Sequence, residues 1–248
     1  MSLPIAGMLE NCTGFYEHMP PTTFHNENWL LRVVLEASAK EESSVHPLGF
    51  SPNARWYTEG WLRPAFLPEP GGDRIGEGFT HADGTIGHFD VGGERGGEIV
   101  LRSEAEQFIV IEGKLGSPLS KGTTNAPGYD QAARNVACMA NVIAAGGLAP
   151  SDFSSLAFFV IAPRVMIPHH GIDQLVGKDS IRSKVRRRVD MYNGARDAWF
   201  ANAFEPLLEA ITVEALAWED VLETLSSSVF DYRSFYSRCL QFNGVGPR

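Results

Sequence analysis

Cysteine is scarce in this chain: three in 248 residues, Cys12, Cys138 and Cys239, an odd number set far apart with no C-x-x-C pair. That spacing suggests neither a disulfide framework nor a cysteine zinc site, and a reducing intracellular compartment is the expectation. Long apolar runs are also missing. No stretch approaches the roughly 18 apolar residues of a membrane helix, and the N-terminus lacks a basic region followed by an apolar one. A cytoplasmic, unprocessed protein with no membrane partner is expected. Positive charge is in deficit: 21 Lys and Arg stand against 30 Asp and Glu, a formal net charge of -9. This argues against a protein coated in nucleic acid, because counterion release needs many cations on one face. No linker, repeat or low-complexity tract is visible. With 44% hydrophobic residues, the chain is long enough to form one α/β domain over 1–248.

The residues that carry chemistry are concentrated around Gln107-Phe108-Ile109-Val110-Ile111-Glu112-Gly113-Lys114, an apolar strand that ends in a carboxylate and an ammonium. Alternate side chains of a strand share a face, so Glu112 and Lys114 point the same way, roughly 6–7 Å apart along the backbone.

Around this strand the pattern is readable in order. Pro20-Pro21-Thr22-Thr23 precedes Phe24, Leu30, Leu31, Val34 and Leu35, whose spacing predicts a helix over about 24–39 capped by a threonine. Residues 43–70, with Trp56, Tyr57, Trp61 and Phe66 among prolines, read as a short helix between loops, closed by Pro70-Gly71-Gly72. Strands follow at 85–91, 98–102 and 107–115, a three-strand meander whose first connection is the glycine-rich stretch 92–97. A long loop over 116–128 leads to a helix over 129–145 that Gly146-Gly147 terminates. The continuous apolar run 156–162 suits a strand covered on both faces, reached by a crossover. After Pro163 the chain reads as helical to its end, near 172–192, 195–211, 217–225 and 232–243.

Pairing the second and third strands through the loop at Ala105 places Glu98 opposite Glu112. The same operation through the glycine-rich turn places Asp90 opposite Glu98. Three carboxylates on strands ~4.8 Å apart repel unless a cation lies among them, and oxygen-only ligands suit Mg²⁺ or Mn²⁺. Asp83, at the start of the first strand, is an alternative ligand. A second feature is basic: Lys178, Arg182, Lys184, Arg186, Arg187 and Arg188 stand against a single Asp179. With Lys121 in the long loop, they form a candidate phosphate-facing patch, the competing reading being a solvated helix face. His169-His170 reads as a surface turn and Trp218 as core.

An acidic residue on one strand, Glu112-Gly113-Lys114 closing the next, then a helix and a further buried strand resemble the PD-(D/E)xK nuclease superfamily and its restriction-endonuclease-like fold. That family's order of helix, three-strand meander, helix and strand can be laid on residues 23–162, with 163–248 as a helical addition. Glu27, in the first turn of the first helix, resembles the helical glutamate that often completes the family's metal site. Gln131 resembles the glutamine carried by the helix after Glu-x-Lys in some branches. The family's usual Pro-Asp is absent, which leaves the first acid open among Glu98, Asp90 and, with a bulged or inserted hairpin, Asp83. The resemblance implies divalent-metal-dependent phosphodiester hydrolysis acting on nucleic acid, DNA foremost. In it, Glu112, Lys114, Glu98 and Gln131 would be catalytic, and Glu98, Glu112, Glu27, Asp90 and Asp83 candidate ligands of Mg²⁺ or Mn²⁺. The competing expectation is a nucleic-acid-binding or scaffold protein of the same fold that does not cleave. A third is a metal-dependent hydrolase for another phosphate substrate.

Overall fold

A computed structural model describes residues 4–40, 47–68, 75–93, 96–225 and 230–245. The chain opens with helices α1 (Pro4–Glu10) and α2 (Glu27–Ser38). The cap of α2 is Asn26, not a threonine: its Oδ1 accepts from the Trp29 N–H at 3.0 Å, while Pro21–Thr23 forms a separate 3-10 turn. Asn outranks Thr at this position.

The seven strands of the main sheet follow, interrupted by a helix and by a separate ribbon in which Gly122–Thr123 pairs with Ala126–Pro127: β1 (Arg55–Leu62), β2 (Thr80–Gly87), β3 (Phe89–Gly92), β4 (Glu98–Leu101), β5 (Gln107–Gly113), α3 (Gln131–Ala145), β6 (Ser155–Ala162) and later β7 (Thr212–Ala217). The helix expected within 43–70 is instead strand β1. Trp56, Tyr57, Thr58 and Trp61 are strong strand formers, and a half-buried pleated surface suits them better than a helix. The turn expected at Pro70-Gly71-Gly72 lies outside the described residues, as do residues 94–95 of the glycine-rich stretch.

The strands form one mixed sheet in the order β3-β4-β1-β2-β5-β6-β7. Its antiparallel centre is β1-β2-β5, and β6 and β7 extend it in parallel. The β3–β4 hairpin is inserted between β2 and β5 in sequence but sits on the far side of β1. The expected strand over 85–91 is therefore two strands. The chain leaves the sheet at Gly87, whose φ of 149° and lack of a Cβ allow it to press against the Gln107 carbonyl. His88 secures the exit: its Nδ1 accepts from the Glu106 and Gln107 N–H groups at 3.1 and 3.2 Å, and its Nε2 donates to the Pro52 carbonyl at 2.9 Å.

The sequence pattern did not anticipate β7. Residues 212–217 interrupt the expected C-terminal helices and lie parallel to β6. The helix expected over 172–192 breaks at Gly177, leaving one turn, Ile172–Leu175, before α4 (Lys178–Asp190). Helices α5 (Glu205–Ala210), α6 (Trp218–Glu223) and α7 (Tyr232–Phe242) complete the chain. Among the described residues no helix is long and apolar enough to cross a membrane.

Helices cover both faces of the sheet. Along β5, Phe108 and Val110 enter a core shared with α3, α4 and α5, whereas Ile109 and Ile111 enter one shared with α2, α6 and α7. This double burial explains why β5 and β6 are nearly continuous apolar runs. Beyond Val110, the next position on the α3 side is Glu112.

Candidate active site

The site begins where the β2–β5 ladder stops. Pairing runs from Gly87 opposite Phe108 to Gly84 opposite Ile111 and goes no further. The next free amide, Gly113 N–H, donates instead to Asp83 Oδ2 at 2.9 Å. A side-chain carboxylate thus takes the place of a strand carbonyl, which carries Asp83 to the end of β5.

Strand β2 rotates to achieve this. Ala82 packs on the α3 side, whereas a Cβ at Gly84 would touch Leu31 and Leu35 of α2, although residues two apart in a regular strand share a face. The partner strand distorts at the same level. Thr58 pairs with Gly84 and Gly60 with Ala82, so Glu59 lies across from Asp83, and Glu59 has φ 57°. A left-handed backbone at a non-glycine residue costs of order 1–3 kcal/mol and occurs preferentially where a site requires it.

Glu112 is fully buried, and three donors hold its carboxylate. Lys114 Nζ and Gln131 Nε2 donate to Oε1 at 2.6 and 2.5 Å, and Asn135 Nδ2 donates to Oε2 at 3.2 Å. Gln131 opens α3, whose N-cap Asp130 accepts from Ala133 N–H at 3.0 Å, and Asn135 follows one turn later on the same face. Burial, then the negative charge of the neighbouring Asp83, push the Glu112 carboxyl well above the usual carboxylate range against the opposing pull of Lys114. For Lys114, burial acts to lower the pKa, but Glu112, Asp83 and Glu27 together raise it, so the ammonium stays charged. Its backbone is fixed at both ends: its N–H donates to Ile161 O at 2.8 Å and its carbonyl accepts the Trp218 indole N–H at 2.8 Å. Trp218 is core, as expected, and also braces this residue.

Glu27 occupies the first turn of α2, and its Oε2 accepts from Leu115 N–H at 3.3 Å. Burial raises its pKa, Lys114 lowers it and Asp83 raises it again. Glu27, Asp83 and Glu112 thus share the field of a single lysine, an excess of negative charge in a poorly solvated place.

Two expected ligands lie elsewhere. In the observed hairpin Asp90 faces Val100 and Gly92 faces Glu98, two residues away from the expected register, and β4 pairs with β1 instead of β5. Glu98 is three strands from β5, roughly 14 Å at ~4.8 Å per strand, and accepts from Arg63 Nε at 2.9 Å. Asp90 is exposed and pairs with Arg102 at 2.9 Å. The row of Asp90, Glu98 and Glu112 does not exist. Asp83 is the acid beside Glu112, and the inserted hairpin accounts for the long sequence separation.

The basic segment is largely neutralised. Arg182 bonds Asp179, Glu205 and Glu209 at 2.8, 3.0 and 2.5 Å. Arg186 bonds Asp190 and Asp197, both at 2.6 Å, and Lys184 bonds Asp130 at 2.6 Å. Arg188 is buried, stacked over Phe66 and donating to the Ile75 carbonyl and, at 3.2 Å, to the Tyr192 hydroxyl. The segment is therefore not a free cationic patch, although Arg187 is exposed, as is Lys121 beside Ser120, whose N–H donates to Gln131 at 3.2 Å. Asn135 is the one contact of Glu112 that sequence reasoning missed; its i, i+4 spacing from Gln131 was the available signal.

A cleft of about 930 Å³ opens at Glu27, floored by Leu115, Val165 and Met166 and edged by His169. Of the three acids, Glu27 lines this cleft. No group of three or more His, Cys, Asp or Glu side chains converges as a ready metal cage among the described residues. The donor chemistry nevertheless fits a hard divalent ion: two carboxyl groups, Asp83 and Glu112, lie close enough for the charge of one to act on the other, and both offer oxygen ligands only. Compared with protein-family profiles, curated proteins and solved structures, the chain has no significant match in any of the three.

Proposed function

We propose that this protein is a divalent-metal-dependent nuclease that hydrolyses phosphodiester bonds in DNA, built on a restriction-endonuclease-like core. The observation that carries the reading is the convergence of Asp83, Glu112 and Lys114 at the end of β5, reached by the element order α2, β1-β2-β5, α3, β6. Glu112 and Lys114 were singled out by the short motif. Asp83 comes from β2, the neighbouring strand, separated in sequence from the motif by the inserted hairpin, so its presence is an independent support.

Asp83 and Glu112 would hold Mg²⁺ or Mn²⁺, with Glu27 on the cleft side. A bound ion of this kind polarises the scissile phosphate and acidifies a water. The chain supplies the rest. Lys114, charged and fixed through its backbone, orients the attacking water and offsets the negative charge that builds on the phosphorus. Gln131 and Asn135 hold the Glu112 carboxylate in one orientation, so that little reorganisation is needed during reaction. Glu27 presents a carboxylate to solvent entering from the cleft.

A second reading, a nucleic-acid-binding or scaffold protein that does not cleave, is favoured by the neutralised basic segment. Incubation of plasmid and oligonucleotide DNA with Mg²⁺ or Mn²⁺ separates the two. Cleavage by the native protein, abolished in Glu112→Ala and in Lys114→Ala, is the expected result. Binding without cleavage favours the scaffold, and cleavage that survives both substitutions overturns the site assignment.

A further inference from the structure

The cleft beside Glu27 has a chemistry that the hydrolytic reading leaves unused. Its wall starts at Leu115, one Cα step, about 3.8 Å, beyond Lys114. Its floor is apolar. Leu115 is buried and Met166 half-buried, while Val165, at 66% exposure, is the most exposed large hydrophobic side chain among the described residues. Neither Lys nor Arg is among the described residues that line the cleft, and Glu27 is their one carboxylate. The cation next to the floor in sequence, Arg164, is already bound to Asp220 at 2.5 Å. On the rim, Asn243 spends its amide hydrogens on the His25 and Cys239 carbonyls at 2.7 and 2.8 Å, which leaves its Oδ1 to accept. His170 anchors the opposite rim by donating to the Gly116 carbonyl at 3.1 Å, and the exposed His169 ring stands 4.8 Å from it.

We infer that this cleft seats one unpaired nucleobase next to the bond being cut, so that the substrate is single-stranded or locally opened DNA; the proposal rests on the nuclease reading for its choice of ligand. Charge decides which part of a nucleotide enters. A phosphodiester backbone laid along the cleft would meet an acid and no cation, so the phosphates stay outside, toward Lys114. The base is the uncharged part, and its faces suit an aliphatic floor and the His169 ring. Its N–H edge suits the acceptors at Glu27 and Asn243.

Pairing decides which nucleic acid can supply that base. Inside a duplex both faces are stacked and the hydrogen-bonding edge is taken, so only a base out of the helix can offer its face to Val165 and its edge to the rim. The size agrees. At about 930 Å³ the cleft falls within the roughly 300–1,000 Å³ of small-molecule sites, with room for a nucleoside. An exposed apolar floor beside a charged centre also gains by being covered.

The experiment measures fluorescence anisotropy in EDTA with three probes: a single strand, an abasic strand with the same number of phosphates, and a duplex of the same sequence closed by hairpins at both ends. Cleavage of the single strand is read separately with Mg²⁺. The base-bearing strand is expected to bind roughly tenfold more tightly than the abasic one, the scale of one stacked base, and more tightly than the closed duplex. Val165→Ser and His169→Ala, both on exposed residues and neither adding charge, should each shrink the ratio of base-bearing to abasic binding, with thermal melts verifying that the variants fold. Equal binding of the two strands by the native protein overturns the base site, as does a closed duplex bound as tightly as the single strand or a ratio that neither variant moves. A base preference that the variants reduce, without any Mg²⁺-dependent cleavage, would sink the nuclease reading and keep the cleft as a site for unpaired nucleic acid. Cleavage without base preference would do the reverse.

Discussion

The end of β5 and the outer face of α4 are the two charged regions that stand out in the sequence, and the fold treats them in opposite ways. On α4 most of the charge is matched: Arg182 reaches three carboxylates and Arg186 two, all with access to water. At β5 the charges are buried and unbalanced, with Asp83, Glu112 and Glu27 around one Lys114, and the carboxyls of Glu112 and Glu27 displaced upward. A density of charged letters says little by itself. What separates a structural ion-pair lattice from a reaction centre is whether the neighbourhood compensates the charge, and perturbed groups of this kind cluster where chemistry occurs.

The sharpest way to break this contrast is to compare two acids that sequence reasoning ranked in the wrong order. Asp83→Asn keeps the shape of the side chain but removes charge beside Glu112, and is expected to lower Mg²⁺-dependent DNA cleavage on the order of 10³-fold. Glu98→Gln, three strands away and bonded to Arg63, is expected to leave the rate unchanged. The ratio of kcat/KM values for the two variants is the measurement. Equal losses would mean that the observed register does not describe the protein in solution.

That ranking shows how far the sequence is legible. The apolar run at β5, its Glu-x-Lys end, the helix bearing Gln131 and the buried strand β6 could all be read, because each is a local pattern of period 2 or 3.6 that double burial or a capping residue reinforces. The order of the strands could not. A hairpin of consecutive strands is the economical assumption, and nothing local in Phe89–Leu101 announces that this hairpin crosses to the outer edge of β1. The devices that send it there, Gly87 at positive φ and His88 stapled to Pro52, act through contacts distant in sequence. Strand β1 was hidden by the prolines on either side of it and by its aromatics, and β7 by its helical neighbours. The site inherited the same error: Glu112, Lys114, Gln131 and Glu27 belong to elements that were read correctly, whereas the choice among Asp83, Asp90 and Glu98 depended on register.

A smaller effect tests charge compensation away from the β5 cluster. Glu77 is buried and its carboxyl rises from 4.5 to about 7, burial being the main cause. Between those values the folded protein keeps a proton that the unfolded chain releases, so stability falls as pH rises through the window. Glu77→Gln should remove that slope and leave the protein more stable than the native form above neutrality, by about 3 kcal/mol at most for a shift of this size. Urea unfolding at pH 5 and pH 8 gives the comparison directly. Parallel pH profiles for the two proteins would show that Arg188 and Arg134 compensate Glu77 fully, as the carboxylates of α4 compensate their arginines.

The smallest effect concerns α4 and the nearby loop residue Lys121, and divides their cations into matched and unmatched. A cation already held by carboxylates releases no counterion when DNA arrives, whereas an exposed, unmatched one can. Arg187→Gln and Lys121→Gln should each reduce the slope of log K against log salt for DNA binding by about one unit, while Arg182→Gln and Arg186→Gln should leave it where it was. Anisotropy titrations over a range of KCl concentrations in EDTA supply the four slopes. Should Arg186→Gln flatten the dependence as much as Arg187→Gln does, its bonds to Asp190 and Asp197 must yield to phosphate on binding. The face of α4 would then be a latent nucleic-acid surface that the free protein keeps closed with its own carboxylates.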